Sequence, residues 1–470
     1  MQLRDKITSD PGFQYIIDSL NIISAAGRRA LMDTPLLSSQ KDIETEFDNM
    51  QAVLEVASNT DNNHAIAEIK HFLMCLHDSQ GTVANLSHHS VIGEVELFEV
   101  KNIAYTAAAV SKSAVSLGLD NIFDLPELSD IFALLDPDNT GLPHFYIYDS
   151  YHPQLAEIRK QMKIEQANSD NPESATRYAD LFSKHNEIQH LVETQLSQQL
   201  WDTAERLAIA VNRLAYIDIL FAKVGLASAW NFVRPSISTN GSTIYKGLFN
   251  PRLLHRNQEQ RLRYQPIDIS ISQGLCLITG ANMAGKTVLL KTLGVAQLLA
   301  QFGMFVPAAS ASITLVDDIV FCIGDEQNEM NGLSSFASEI IKISNVVKQS
   351  ATAKLLILID EPARTTNPVE GKAIVQALSN LLAERISISL ITTHYAQLGI
   401  PCRRLRIAGF REELANAAIS PENINLFMDY SLVEDNSDTV PHEALRIATL
   451  LGCDTDLINL AEHHLNTATN

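Results

Sequence analysis

No apolar run in this chain reaches the ~18 residues that a membrane-spanning helix needs, so the sequence offers no such span. The start, Met1-Gln2-Leu3-Arg4-Asp5-Lys6, lacks the apolar region of a secretory signal. Cysteine is sparse: Cys75, Cys276, Cys322, Cys402 and Cys453 stand far apart and form no C-x-x-C, which argues against a disulfide framework or a thiolate metal site. These absences lead to the expectation of a cytoplasmic protein with no membrane contact, its thiols acting as small hydrophobes. Positive charge is also short, with Lys+Arg 35 against Asp+Glu 55 and a net charge of −20. Nucleic-acid affinity rests on Lys and Arg neutralising phosphates, so this balance disfavours strong non-specific DNA binding without forbidding a local basic stripe. Repeats and low-complexity tracts are missing. What remains is a globular composition, 46% apolar and 19% charged, on a 470-residue length that suggests two to three domains.

The most informative stretch is Thr279-Gly280-Ala281-Asn282-Met283-Ala284-Gly285-Lys286-Thr287, which reads G-x-x-x-x-G-K-T. It follows the apolar run Leu275-Cys276-Leu277-Ile278 and opens into Val288-Leu289-Leu290-Lys291, which has helical character. Strand, glycine turn and helix in that order make a phosphate cradle. Backbone N–H groups and the helix N-terminus face the phosphates, Lys286 reaches the outer ones, and the Thr287 hydroxyl suits Mg²⁺. An ordinary glycine turn does not account for a Lys-Thr pair at that spacing.

Two further runs support it. Lys354-Leu355-Leu356-Ile357-Leu358-Ile359 is continuously apolar, as a buried parallel strand is, and ends in Asp360-Glu361. One carboxylate there can hold magnesium and the next can orient an attacking water. Ile386-Ser387-Ile388-Ser389-Leu390-Ile391 ends in Thr392-Thr393-His394, a polar tip placed to sense a γ-phosphate. Chemistry at the ends of neighbouring strands is the rule for open α/β sheets.

Residues 1 to about 135 read as helices, with helical apolar spacing over Phe13–Ile23 and Ile66–Leu73. Asp136-Pro137-Asp138-Asn139-Thr140-Gly141 is a turn cluster. Its D-x-D-x-T-G pattern hints at a calcium loop, but the twelfth position is Ile147 and not a bidentate Glu, so calcium is not expected. A long helical pattern from Pro153 breaks near Asn168–Pro172, which predicts two antiparallel arms, the second running from about Glu173 to Ser228. A weak strand is expected around Phe427–Leu432, with helices around His442–Leu451 and Thr455–Leu465, and the His463-His464 pair reads as a solvated face. The division expected is a helical core and lever domain over 1–150, clamp-like arms and a return lever over 151–234, a P-loop ATPase domain over 235–411 and a helical closing segment over 412–470.

With these residues in view, the chain resembles the MutS family of ABC-type ATPases. The segment T-G-A-N-M-A-G-K-T is similar to that family's T-G-P-N-M-G-G-K-[ST]. Gln301-Phe302-Gly303-Met304-Phe305-Val306-Pro307-Ala308 resembles its G-x-x-V-P-A passage, and Thr393-His394-Tyr395 its T-H-Y/F. Ile323-Gly324-Asp325-Glu326-Gln327 and Gly332-Leu333-Ser334-Ser335-Phe336 resemble its Q-loop and signature loop. The likeness is strong over about 230 to 410 and weaker before it. It implies an α/β ABC-type P-loop ATPase domain preceded by an all-α lever/clamp domain. It implies ATP and Mg²⁺ as cofactors and a homodimer or heterodimer with a related subunit. Gly280, Asn282, Met283, Ala284, Gly285, Lys286, Thr287, Val288 and Gln327 would bind nucleotide, with Thr287 and Asp360 at the metal. Glu361 would position water and His394 would act as the switch. The partner subunit's Gly332, Ser334 and Ser335 would approach the γ-phosphate, and Arg364 and Thr366 would lie in the dimer-contacting loop.

Departures from the family pattern narrow the expectation. About 230 residues precede the ATPase region, too few for the mismatch-reading and connector domains as well as levers and clamp, and the 76 residues after His394 leave no room for the nuclease-type domain of the recombination-suppressing paralogue. The one Phe-x-Glu, Phe410-Arg411-Glu412, lies beyond the ATPase core, so base-step wedging is not expected. Residues 151 to 193 hold seven acidic and five basic residues, a poor surface for DNA. After Glu361 the family's G-R-G-T-S-T is replaced by Ala363-Arg364-Thr365-Thr366-Asn367-Pro368. That segment, together with Val440-Pro441-His442-Glu443-Ala444-Leu445, resembles short MutS-like subunits of the reactivase for lysine 5,6-aminomutase. The expectation placed first is therefore an ATP-driven remodeller of a protein client. The alternatives are a MutS relative acting on mismatched or branched DNA and, last, a nucleotide-gated scaffold with negligible turnover, against which Glu361 and His394 both speak.

Overall fold

The computed structural model describes residues 1–168, 171–281, 284–323, 335–395, 398–411, 424–435, 445, 448–449 and 452–468. The chain divides into one unit made of Met1–Leu20, Pro35–Asp48 and Leu226–Asn470 and another made of Asn21–Thr34 and Asn49–Gly225. The expected boundary at 150 therefore moves. Residues 1–20 and 35–48 belong with the sheet-bearing unit because long-range contacts hold them there. Phe13 stacks on Phe302 with centroids 5.9 Å apart, and Phe47 meets Phe305 edge-on at 6.2 Å. Lys6 donates to the Ile319 carbonyl at 2.7 Å and pairs with Asp318 at 2.6 Å.

Ten strands are described: β1 Ser236–Ile237, β2 Ser242–Leu248, β3 Ile267–Ser272, β4 Gly274–Thr279, β5 Ser310–Ile313, β6 Asp318–Cys322, β7 Leu355–Ile359, β8 Ile388–Thr392, β9 Arg403–Phe410 and β10 Met428–Glu434. The larger sheet runs β10-β9-β4-β8-β7-β6. Its five members from β9 to β6 pair in parallel, and β10 adds an antiparallel edge. Every residue of β7 and β8 is buried; β7 accordingly reads as an apolar run, whereas β8 carries Ser389 and Thr392 inside the sheet. The second sheet, β1-β5-β2-β3, is mostly antiparallel. The expected closing segment past 412 is thus not purely helical, since β10 is a strand of the central sheet.

The P-loop helix, Lys286–Gln301, is buried along nearly its whole length against this sheet. At its C-terminal end two buried amides fix the following loop. Gln297 donates to Gln301 Oε1 at 2.8 Å and to the Thr314 carbonyl at 3.0 Å, and Gln301 donates to the carbonyls of Val316 at 2.7 Å and Leu37 at 2.9 Å. The Val306-Pro307-Ala308 passage is structural: Val306 and Val233 exchange two backbone hydrogen bonds of 2.9 Å.

The secondary-structure elements described in the other unit are all helices, joined by loops such as 135–148. In the sheet-bearing unit, the spacing that predicted one helix over Phe13–Ile23 is realised only as Pro11–Asp18. Asp10 caps it by accepting from Gly12 N at 2.6 Å, Pro11 occupies its first position, and i→i+3 bonds from Ser19 and Leu20 close it. The two arms are Leu155–Ala167 and Pro172–Leu200, antiparallel as expected, with Asn171 capping the second. That second arm does not run on to Ser228, because a 3-10 turn at Trp201–Thr203 precedes the helix Ala204–Trp230. Among the described residues no helix is long and apolar enough to cross a membrane.

Asp136 of the turn cluster is occupied by a lysine. Lys101, fully buried on the helix Glu94–Leu117, donates to Asp136 Oδ1 at 3.0 Å and Tyr148 Oη at 3.1 Å. Thr140 Oγ1 at 2.6 Å and Gly141 N at 2.8 Å also donate to this carboxylate. Burial alone would push the Asp136 carboxyl up, but these donors and the ammonium hold it down at about 2. Below its unfolded value near 3.9, it contributes stability that is complete above about pH 4 and is lost as pH falls through 2. Asp136→Ala strands a buried ammonium, so the helical unit is expected to lose about 3–5 kcal/mol in urea denaturation and the pH 4-to-2 limb of its acid unfolding. An unchanged midpoint would show that the pair is not structural.

Candidate functional site

Parallel register brings three strand ends to one rim. Ile278 of β4 pairs with Thr392 of β8, and Ile359 of β7 pairs with Ile391. The segments that follow, Gly280 to Gly285, Asp360-Glu361 and Thr393-His394, therefore leave the sheet side by side. Chain order and spatial order diverge here: β4 lies between β8 and β9, which is where a ligand crevice opens in such sheets.

Gly285 has φ +89° and forms the N-cap of the P-loop helix. A Cβ there would take on a strained φ and come within 3.3 Å of the Tyr430 ring, so glycine is required on both counts. Lys286 is 5% exposed and folds back over its own loop, donating to the carbonyls of Gly280 at 2.9 Å and Ala281 at 3.1 Å. Its ammonium also pairs with Glu361 Oε1 at 3.3 Å. Thr287 Oγ1 donates to Asp360 Oδ2 at 2.6 Å, and Thr392 Oγ1 donates to Asp360 Oδ1 at 2.6 Å. The same Thr392 oxygen accepts from Glu361 N at 2.9 Å. Lys286, Thr287, Asp360 and Glu361, singled out from sequence, thus stand together. Thr392 joins them as a residue that the sequence reading left without a separate role.

Glu361 carries a second cation, Arg364 Nη1, at 3.3 Å from Oε2. Burial pushes the Glu361 carboxyl up, but Lys286 by charge and hydrogen bond, then Arg364, outweigh it and hold the group below the usual range. His394 lies within electrostatic reach of these groups. Burial lowers its pKa, the nearby Lys286 and Arg364 add to that, and Glu361 opposes it. The imidazole is therefore neutral at pH 7. Its ring centroid is 4.3 Å from that of Tyr395.

The loop after Glu361 is held in an unusual backbone conformation. Ala363, at the family glycine position, is fully buried with φ +59°, and Glu361 itself has φ +43°. Ala363 N donates to Glu339 Oε1 at 3.0 Å, which ties this loop to the helix Ser335–Gln349. Arg364 is exposed and Thr366 half-buried. Asn282, Met283, Gln327, Gly332 and Ser334 lie outside the described residues, as does the side chain of Ser335.

The sequence reading named no residue for the nucleoside base. A cavity of about 280 Å³ adjoins Gly285 and Val288 at the start of the P-loop helix, lined also by Leu253, Tyr264, Gln265 and Tyr430. Its wall is built by capping. Asn250 Oδ1 accepts from Leu253 N at 3.1 Å to start the helix Pro251–Glu259, Asn250 N donates to Tyr264 Oη at 2.7 Å, and Asn250 Nδ2 donates to Thr292 on the P-loop helix at 3.3 Å. Gln265 Nε2 donates to Asp429 at 2.9 Å beside Tyr430.

Residues 276–468 match the family description MutS domain V. The chain is 33% identical over 282 residues to an Endonuclease MutS2 of Thermomicrobium roseum, covering 58% of this chain and 34% of that protein. It is 36% identical over 219 residues to the DNA mismatch repair protein MutS of Thermus aquaticus, covering 45% of this chain and 25% of that protein. Over 450 residues, 87% of this chain, it is 28% identical to an Endonuclease MutS2 of Geobacillus thermodenitrificans, covering 54% of that protein. The chain thus spans about a third of the length of the MutS2 relative at 33% identity and about half of the one at 28%. These names speak of DNA and of endonuclease action. They lend nothing to the reactivase-like, protein-client expectation.

The strained alanine yields a prediction at this site. Ala363→Gly relieves the left-handed conformation and is expected to raise stability by about 1 kcal/mol, read as a higher Tm. A lower Tm for that variant would show that the loop does not hold the strain.

Proposed function

We propose, from its likeness to the MutS family, that this chain binds and hydrolyses ATP with Mg²⁺ in a nucleotide-closed dimer whose client is DNA. The observation that carries the ATPase reading is the Lys286 ammonium held between two loop carbonyls and Glu361, with Thr287 and Asp360 in contact beside it. The donor set fits the cation: a hydroxyl and a carboxylate are hard oxygen ligands of the kind Mg²⁺ takes alongside phosphate oxygens and water. When bound, the ion neutralises charge developing on the transferred phosphoryl group.

The protein's own residues supply the rest. The incoming triphosphate competes with Glu361 for Lys286, because phosphate oxygens carry more charge than one carboxylate. Losing the ammonium makes Glu361 more basic and turns it toward the attacking water, so substrate binding itself releases the water-positioning group. His394, neutral at pH 7, donates or accepts a hydrogen bond at the γ-phosphate without adding charge. The backbone of Gly280, Ala284, Gly285 and Lys286 cradles the phosphates, and Asn282, Met283 and Gln327 complete the nucleotide contacts. The base enters the cavity against Val288, Tyr264 and Tyr430. The partner subunit's Ser334, flanked by Gly332 and Ser335, closes over the triphosphate, and Arg364 and Thr366 meet the partner beside it. The all-α unit acts as the lever and clamp that the closure moves.

The DNA client is supported by the relatives named for DNA mismatch repair and endonuclease action. The protein-client reading keeps one observation in its favour, the net charge of −20. Steady-state ATPase rates with and without excess duplex and four-way-junction DNA, at near-physiological salt, separate the two. Junction DNA is expected to stimulate turnover several-fold. A rate indifferent to every DNA overturns the DNA client. Glu361→Gln, the background control, is expected to keep nucleotide binding and lose about 10²-fold or more in turnover. Wild-type turnover in that variant would remove Glu361 from its role. Tyr430→Ala is expected to weaken ATP binding by about tenfold, the loss of one base-stacking contact. Unchanged affinity would place the base elsewhere.

A further inference from the structure

The negative charge of this chain is unevenly spread. Between Ile219 and Ile267 there are seven basic residues and one acidic residue, Glu259. Two of the seven are already used: Lys223 is buried, and Arg234 pairs with Asp48 at 2.6 Å. Of the other five, Lys246 lies on β2 and four are arginines in one short segment, the helix Pro251–Glu259 and the turn after it. Arg252, Arg256, Arg261 and Arg263 are all exposed, and none makes a side-chain hydrogen bond or ion pair with the described residues.

Helical spacing puts Arg252 and Arg256, at i and i+4, on one face. Arg263 is brought back beside Arg256, since both line the mouth of the cavity next to Gly285 and Val288. The turn between them is fixed by Leu262 N donating to the Asn257 carbonyl at 2.8 Å and Asn257 Nδ2 donating to the Arg263 carbonyl at 3.2 Å. Beyond Glu259, the nearest acidic residues in sequence are Asp268, which accepts from Gly247 N at 2.7 Å, and Asp218 on the preceding side. Four exposed arginines against the single acidic Glu259 leave a net positive surface that suits an external polyanion with repeating phosphates, which Arg contacts through its forked donors.

We propose that the arginine face of Pro251–Glu259 and its following turn is a binding surface for the sugar–phosphate backbone of DNA, on the sheet-bearing unit and beside the nucleotide cavity. This rests on the DNA-acting reading above and locates a contact for it. Arg252 and Arg261 do not line the cavity, so they can be changed without touching the nucleotide site. The test is fluorescence anisotropy of labelled four-way-junction DNA across a salt series, with the intact chain and with an Arg252→Gln/Arg261→Gln double variant. Each lost phosphate contact flattens the log–log salt slope by about 0.9, so the slope is expected to become shallower by about two, with weaker binding at every salt. DNA-free ATPase activity is expected to stay unchanged, and Arg252→Lys/Arg261→Lys to keep the wild-type slope. If the intact chain binds DNA and the Gln variant keeps its slope, the phosphates are held elsewhere and this surface is not the site. If the intact chain binds no DNA, the DNA reading falls and takes this surface with it. A change in self-association by sedimentation with an unaltered DNA slope would assign the arginines to a second copy of the chain and overturn the inference.

Discussion

The carboxylate of Asp360 accepts hydrogen bonds from Thr287 and from Thr392, each at 2.6 Å, and so joins the start of the P-loop helix to the end of β8 from its own place at the end of β7. A carboxylate accepts only, and it needs donors wherever water is scarce. Two threonine hydroxyls meet that need, and such charge-assisted bonds are the stronger kind. Because a hydroxyl both donates and accepts, Thr392 passes the constraint on, taking the Glu361 amide at 2.9 Å. One charge thereby sets the helix that carries the phosphate cradle, the strand that carries His394 and the backbone of Glu361. An amide at position 360 would remove the charge and leave one acceptor oxygen in place of two, so the hold on the threonines would weaken.

Lys286 and Glu361 link the glycine turn to the loop after β7 through one shared ammonium. The ammonium has three protons, and the resting arrangement directs them to Gly280 O, Ala281 O and Glu361. All three acceptors are weaker than a polyphosphate. A ligand can shift such an arrangement only by the difference in its affinity for the two states, and on the proposed reading that difference is the preference of the ammonium for phosphate oxygens over a single carboxylate. Arg364 on the other oxygen of Glu361 keeps the group from becoming an unpaired charge when the lysine leaves. The positive φ at Glu361 and Ala363 and the bond from Ala363 N to Glu339 connect this same loop to the helix that follows the signature-loop sequence.

The parts of this site that were legible in sequence are those whose signal is local. A glycine turn between strand and helix, and carboxylates or a histidine at the ends of apolar runs, carry their meaning within a dozen residues. Lys286, Thr287, Asp360, Glu361 and His394 stand on one rim for that reason. The base cavity was not legible, because its wall is drawn from Leu253 to Ile267, from the P-loop helix and from Tyr430, and only folding brings these together. The N-terminal helices were read correctly as helices and assigned to the other unit, since nothing near Phe13 announces Phe302. The turn at Asp136 was legible as a turn. Its D-x-D-x-T-G pattern could not reveal that Lys101 supplies the cation from a different helix.

Net charge is the property that sequence reading used most heavily, and it is the least local. Field effects between exposed charges fade over about 8 Å at physiological salt, so a total summed over a 470-residue chain says little about any one face. A strongly acidic total with its arginines gathered in short segments is a different physical object from a uniformly acidic one. The first repels a polyanion from most approaches and admits it at one place, which trades non-specific affinity for orientation. That place shares the helix Pro251–Glu259 with the wall of the base cavity: Arg252 and Arg256 lie on a helix that also carries Leu253 and Asn257 to the cavity. Coupling between two ligands is reciprocal. On the proposed reading, an anion that shifts this helix alters nucleotide affinity, and nucleotide alters the hold on the anion by the same factor.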